Sequence, residues 1–220
     1  SSGAAHELHS PSMDWAYQYR DPEKLYLNVT NRCSNRCSFC VRSQTARIGD
    51  GLLVGDSEPS LEELLDAIEH RGGPECFSEI VWCGYGEPTI RLDLILDASP
   101  IFRDAGARVR LNTNGHACLI HGRDVLPDLG EVVDRVSVSL NAPTAERYIE
   151  LCDPDLHNVP WKPSPAPVAF WKAMTDFLRR APHHFAEVQA SVVGHTLEAD
   201  EIERCRMLAR DLAGATLRVR

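Results

Sequence analysis

Leu25-Tyr26-Leu27-Asn28-Val29-Thr30-Asn31-Arg32-Cys33-Ser34-Asn35-Arg36-Cys37-Ser38-Phe39-Cys40 is the stretch from which the rest of the chain is read. Leu25 to Val29 is apolar and strand-like, and it runs directly into a polar loop whose cysteines are spaced C-x₃-C-x₂-C. Thiolates are soft ligands suited to iron–sulfur clusters and to zinc. Three of them on one tight loop leave a coordination sphere incomplete, and an open position is where chemistry happens. Structural zinc wants four protein ligands, usually as two separated pairs. The next candidates along the chain, His70 and Cys76, are remote. Spacing alone therefore leaves a cluster, a zinc with a distant fourth ligand and an inert loop as readings.

Outward from that loop, strand signals alternate with helix signals. Residues 25–30, 79–84, 107–113, 134–141, 187–194 and 216–220 are rich in Val, Leu or Ile and end in polar residues or glycine. Between them, Ser60-Leu61-Glu62-Glu63 reads as a capping box. Leu61, Leu64, Leu65 and Ile68 then form one apolar helical face, as do Leu94, Ala98, Ile101 and Ala105, and Ile202, Cys205, Ala209 and Leu212. Weaker helices fall at 121–129, 144–151 and 168–180. Such alternation predicts an α/β fold with a parallel sheet and right-handed crossovers. The six strands are too few for a closed eight-stranded barrel, so a partial, open (β/α)₆ TIM-like barrel is expected, with a doubly wound sheet as the alternative. In either, ligands gather at the carboxyl ends of the strands, which is where the cysteine loop emerges. The proline-rich stretch 153–167 breaks the pattern and reads as a surface connection or a mobile lid bearing Trp161.

The chain of 220 residues has no apolar run long enough for a membrane span, and its formal charge of −9 disfavours broad nucleic-acid binding. Ser1 to Ser12 are small, polar and patternless, and read as a remnant of the expression vector; residues 13–220 form a single domain. Eight cysteines without a secretory signal point to reduced thiols in the cytoplasm. Cys83 and Cys205 sit on apolar faces as buried free thiols, and Cys76, Cys118 and Cys152 are too scattered for a second cluster.

Cys33-x₃-Cys37-x-Phe39-Cys40 after the first strand resembles the signature of the radical S-adenosylmethionine (SAM) superfamily, including the aromatic before the last cysteine. Gly84-Tyr85-Gly86-Glu87-Pro88, at the end of the second strand, is similar to that superfamily's Gly-Gly-Glu-Pro-like motif, with Tyr85 as a departure. Leu25–Cys33, Cys83–Thr89 and Leu111-Asn112-Thr113-Asn114-Gly115 look closest to the small TatD-linked members. The likeness covers nearly all of residues 15–220. It implies that Cys33, Cys37 and Cys40 hold three irons of a [4Fe–4S] cluster, with the fourth iron chelated by SAM. It further implies reductive cleavage of SAM to methionine and a 5′-deoxyadenosyl radical that abstracts hydrogen from a substrate.

On that resemblance, Phe39 and residues Gly84, Tyr85, Gly86 and Glu87 belong to the cofactor site. Strand-end carbonyls would accept from the SAM ammonium, glycines would allow close approach, and Pro88 would stop the sheet. A plain strand-to-helix turn is the ordinary alternative. Asn112 and Asn114 bring amides near a ribose or carboxylate, although Asn-Gly is also a common turn. Ser137, Ser139 and Asn141 alternate onto one side of the fourth strand, as a ligand-lined barrel interior requires, and Ser139 and Asn141 are the expected cofactor contacts. Gly194 resembles the segment that packs on adenine. His195 reads as a solvated loop residue or a substrate contact. Arg218 and Arg220 share a strand face and suit an anionic substrate or local acids. Arg32, Arg36, Arg42 and Arg47 crowd the cysteine loop, where their field would attract an acidic flavodoxin- or ferredoxin-like electron donor or simply pair locally.

The expected protein is thus a minimal radical SAM enzyme acting on a small or macromolecular substrate. Within the superfamily, the rivals are a glycyl-radical activase and a small carbocyclising synthase. Outside catalysis, the rival is an iron–sulfur electron carrier or a zinc module.

Overall fold

A computed structural model describes residues 13–55, 57–157 and 164–220. Its main sheet has seven strands in the order β1 (Ala16–Tyr19), β2 (Asp21–Leu27), β5 (Glu79–Trp82), β6 (Arg108–Thr113), β7 (Arg135–Ser139), β8 (Glu187–Val192) and β9 (Thr216–Val219). From β2 to β9 every neighbour is parallel, while β1 joins the edge antiparallel to β2. Space follows sequence without a reversal, so the crossovers all wind the same way and stack their helices on one face. A doubly wound sheet would need the order to turn back on itself. The sheet curves without closing, an open TIM-like barrel.

The sequence pattern misses three features. β1 is short and leads into the turn at Arg20, where φ is +64°. The first parallel strand begins at Asp21 and ends at Leu27, leaving Asn28 to Thr30 to enter the loop. A two-residue hairpin, β3 (Arg47–Ile48) and β4 (Gly51–Leu52), lies beyond the cysteines. The helix expected over 121–129 is in fact two, α3 (Ala117–His121) and α4 (Leu126–Val132), because Gly122 ends the first in the left-handed region at φ +64°.

The other helices follow the pattern. α1 (Leu61–Glu69) starts at the expected capping box: Glu63 N donates to Ser60 Oγ at 3.2 Å, and Ser60 N to Glu63 Oε2 at 2.8 Å. α2 (Leu92–Asp104), α5 (Ala145–Cys152), α6 (Val168–Arg180) and α7 (Ala199–Ala213) cover the convex face. Beneath them Ile80, Trp82, Val109, Leu111, Val136, Val138, Ala190 and Val192 alternate outward into one continuous core. Trp82 is wholly buried, and its indole N–H finds Ser99 Oγ at 2.9 Å. The concave face is mixed. Next to β2 it is filled by Tyr17, Tyr85 and Leu53, packed with Tyr26. From β6 to β8 it carries Asn112, Ser137, Ser139, Gln189 and Ser191. No described helix is long and apolar enough to cross a membrane. Residues 153–157 and 164–167 are irregular as expected, and Trp161 lies outside the described residues.

Candidate functional site

The cysteine loop rises from the carboxyl end of β2 and is tied down on both flanks. On one side it runs along the carboxyl end of α5 and the segment after it: Arg36 N donates to Cys152 O at 2.8 Å, Ser38 N to Leu151 O at 3.0 Å, and Asp155 N to Ser34 O at 2.9 Å. On the other, Glu87 N donates to Arg32 O at 2.9 Å. Arg42 Nη1 closes the loop on itself, donating to Asn31 O at 2.8 Å. Cys40 N donates to Cys37 O at 3.1 Å, so the last two cysteines share one tight turn. Cys33, Cys37 and Cys40 are each partly buried, and all eight cysteines are free thiols.

Both glycines of the Gly84–Pro88 turn are demanded by contact. A Cβ on Gly86 would stand 2.3 Å from Arg32 O and 2.4 Å from Thr30 O; on Gly84 it would stand 2.2 Å from Asn28 Oδ1. The turn therefore lies directly against the base of the cysteine loop. Tyr85 points the other way, buried in the aromatic cluster, with its hydroxyl donating to Thr45 O at 2.5 Å and its N–H to Asn28 Oδ1 at 3.0 Å. It anchors the chain just beyond Cys40. Glu87 is buried and its carboxylate is fully engaged: Oε1 accepts from Thr89 Oγ1 and Thr113 Oγ1, each at 2.7 Å, and Oε2 from Asn114 N at 2.7 Å. Burial raises its pKa against the pull of those donors. Glu87 brackets the ends of β5 and β6 together.

Beneath the loop lies a buried polar chain that the sequence did not reveal. Asn114 Nδ2 donates to Ser34 Oγ at 2.9 Å, and Ser34 Oγ meets His116 Nδ1 at 2.9 Å. His116 Nε2 meets the Tyr148 hydroxyl at 3.0 Å, which accepts from Asn35 Nδ2 at 3.1 Å. Burial drives His116 down to about 3, so its ring is neutral and accepts one hydrogen bond while donating another. The two loop residues after Cys33 are thereby held by side chains from the turn between β6 and α3 and from α5.

The thiols feel the same burial. Cys33 is pushed up to about 12 by burial, then by the charge of Glu87. Its sulfur accepts from Asn35 N at 3.4 Å and faces Asn114 Nδ2 at 3.9 Å. Cys37 is raised first by a thiol–thiol hydrogen bond with Cys152, then by burial. Cys152, read as one of the scattered cysteines, therefore sits beside Cys37. Among the described residues, no group of three or more His, Cys, Asp or Glu converges on the point one metal ion would occupy. A single zinc needs such convergence; the ligands of a cubane stand farther apart around a larger group.

Phe39 packs on the main core. Asn112 and Asn141 each keep a buried side-chain oxygen with no hydrogen-bond partner among the described residues. Asn141 adopts φ +58°, and its Nδ2 faces Cys152 Sγ at 3.6 Å. Ser139 lies on the concave face within 3.5 Å of Arg220 Nη2. Gly194 sits at the β8–β9 end, its N–H bonded to Arg220 O at 2.9 Å, and His195 is exposed. The four arginines around the loop do not make one field. Arg32 forms a two-point pair with Glu58 at 2.6 Å, and Arg36 pairs with Asp153 at 2.9 Å and Asp155 at 3.1 Å. Only Arg42 and Arg47 lack a carboxylate partner among the described residues.

A parallel open barrel with a three-cysteine loop on its carboxyl rim defines a class of protein, and the comparisons agree. The family model of the radical SAM superfamily matches residues 27–205, and the chain belongs to that superfamily. Membership implies an iron–sulfur cluster and SAM. Among solved structures it is similar to TYW1 with a lysine–pyruvate adduct bound, at TM-score 0.55 and 15% identity, over 87% of this chain and 62% of that one. It is also similar to Streptococcus suis SuiB bound to precursor peptide SuiA, at TM-score 0.59 and 12% identity, over 86% of this chain and 37% of that one. The chain thus spans less than two thirds of the length of either. Such identities speak for the fold alone. No curated protein sequence matches the chain.

Proposed function

We propose that Cys33, Cys37 and Cys40 would hold a [4Fe–4S] cluster, and that residues at the ends of β5 to β8 would bind SAM. The observation that carries this reading is the docking of the cysteine loop onto the Gly84–Pro88 turn through Gly86 and Glu87. Two features of the chain fit the cofactors. Three soft sulfur donors on one loop suit a cluster with one iron left open to SAM. The unpartnered oxygens of Asn112 and Asn141 are acceptors awaiting donors, as an ammonium or ribose hydroxyl supplies.

When bound and reduced, the cluster supplies the electron that splits SAM into methionine and a 5′-deoxyadenosyl radical. What the chain supplies is placement. Glu87 fixes the spacing of β5 and β6, and the Ser34–His116–Tyr148–Asn35 chain fixes the loop from below. Tyr85 and Arg42 hold the segment on either side of Cys40. The polar concave wall, with Ser139 and Asn141, orients the cofactor, and Gly194 leaves room at the β8 end. The open mouth then receives the substrate. An acidic flavodoxin- or ferredoxin-like donor approaches the loop from the side of Arg42 and Arg47, in a reducing cytoplasm.

Anaerobic reconstitution with iron and sulfide, followed by SAM and dithionite, tests the reading. 5′-Deoxyadenosine is the expected product. Iron-loaded protein that binds no SAM would indicate an electron carrier instead, and zinc-loaded protein that refuses iron would indicate a structural module.

A further inference from the structure

We propose that the β7–β9 side of the barrel mouth binds a substrate bearing a carboxylate or phosphate, gripped by Arg218 and Arg220. This rests on the mouth being the active-site face, as proposed above.

Register sets the geometry. Ser139 lies beside Ser191, and Ser191 beside Arg218, so these three share one row across the concave face. Arg220 extends the same side of the last strand, with its N–H bonded to Val192 O at 3.0 Å. Its guanidinium reaches over to Ser139, with Nη2 3.5 Å from Oγ. Ser191 is 2% exposed, so the row has a buried floor.

Charge supplies the chemistry. Lower on the same face, the arginines are matched by glutamates: Arg110 with Glu79 at 3.4 Å, and Arg135 with Glu187 at 3.5 Å. Arg218 and Arg220 form no ion pair with any described residue. In a chain of net charge −9, two adjacent cations without acids mark the mouth as a place for a negative group. Guanidinium forks suit carboxylate and phosphate oxygens in two-point contacts. SAM also carries a carboxylate, so the test must separate cofactor from substrate.

Cluster-loaded protein at low ionic strength is titrated with inorganic phosphate and with succinate, and SAM binding is measured separately by equilibrium dialysis. We expect saturable binding of at least one anion, weakened about tenfold or more in R218Q/R220Q, the loss of a charge-assisted contact. SAM affinity and the melting temperature are expected to stay the same, as is anion binding in the surface control R206Q. Arg218→Lys, which keeps the charge without the fork, is expected to recover part of the affinity. Failure of the wild type to bind either anion, or equal binding by the double variant, would overturn the proposal. So would loss of SAM binding in the double variant, which would assign the arginines to the cofactor. Repeating the titration on cluster-free protein separates the two readings. Anion binding without SAM cleavage sinks the enzymatic reading alone, and SAM cleavage without anion binding sinks this one alone.

Discussion

The concave face changes character along its length. At the amino end of the strands, Glu79 and Arg110 are both buried and face each other, and Glu187 serves Arg108 and Arg135 together. At the carboxyl end, Asn112 and Asn141 keep unpartnered oxygens, and Arg218 and Arg220 find no acid among the described residues. One sheet thus carries charges matched internally at its base and polar groups awaiting partners at its rim. The difference is one of charge: acids and bases are paired at the base, although Glu79 Oε2, Arg110 Nε and Arg135 Nε make no hydrogen bond among the described residues, and the arginines at the rim have no acid among them.

The contrast breaks most sharply at the cysteines. Serine at Cys33, Cys37 or Cys40 is expected to reduce 5′-deoxyadenosine to background and strip the iron, read by metal analysis. Cys152→Ser, beside Cys37 but outside the signature, is expected to keep its iron. Iron retained in all three signature variants would refute the assignment.

At the base, the expected effect falls on folding instead. Arg110→Met leaves Glu79 buried and uncompensated, at a cost of about 3 kcal/mol by urea denaturation. Replacing Glu79 by Leu as well should recover most of that loss. The folded variants should still cleave SAM.

His116 lies between the two ends, and its contribution depends on pH. Its folded pKa is about 3, below the ordinary imidazole value near 6.5 in the unfolded chain. Above about pH 6.5 both states are neutral at this residue and the contribution is complete. As the pH falls toward 3, the unfolded chain takes up a proton that the folded chain refuses. Stability should then fall by about 1.4 kcal/mol per pH unit from this group. Urea midpoints at pH 7 and 4.5 measure the slope, and His116→Gln should flatten it, whatever its effect at neutral pH.

The smallest effect is expected outside the face, at Arg36. Arg36 and Asp153 are solvent-accessible, although Asp155 is mostly buried, so Arg36→Ala should change stability by only about 1 kcal/mol. Stopped-flow reduction by a flavodoxin should be nearly unchanged in this variant but slower in Arg47→Glu. A large slowing in Arg36→Ala would restore the four-arginine field that the structure divides.

Much of this was legible in the chain. Strand–helix alternation is local, set by side-chain periodicity, so the open parallel barrel followed from Leu25–Val29, the Ser60 capping box and their counterparts. β1, the 47–52 hairpin and the break at Gly122 escaped because elements of two to five residues carry too few side chains for a period to register.

The cysteine loop and the Gly84–Pro88 turn could be read as motifs because their chemistry is concentrated within a few consecutive residues. What the sequence alone determined was therefore the set of six parallel strands, the spacing of the thiols and the motif of the turn after the second of them. Only tertiary structure decided that Cys152 adjoins Cys37, that His116 and Tyr148 hold the loop from beneath, and that Arg32 and Arg36 are neutralised. Those partners lie far apart along the chain. Local preference cannot encode such contacts, since they exist only once the packed sheet has brought its strand ends together.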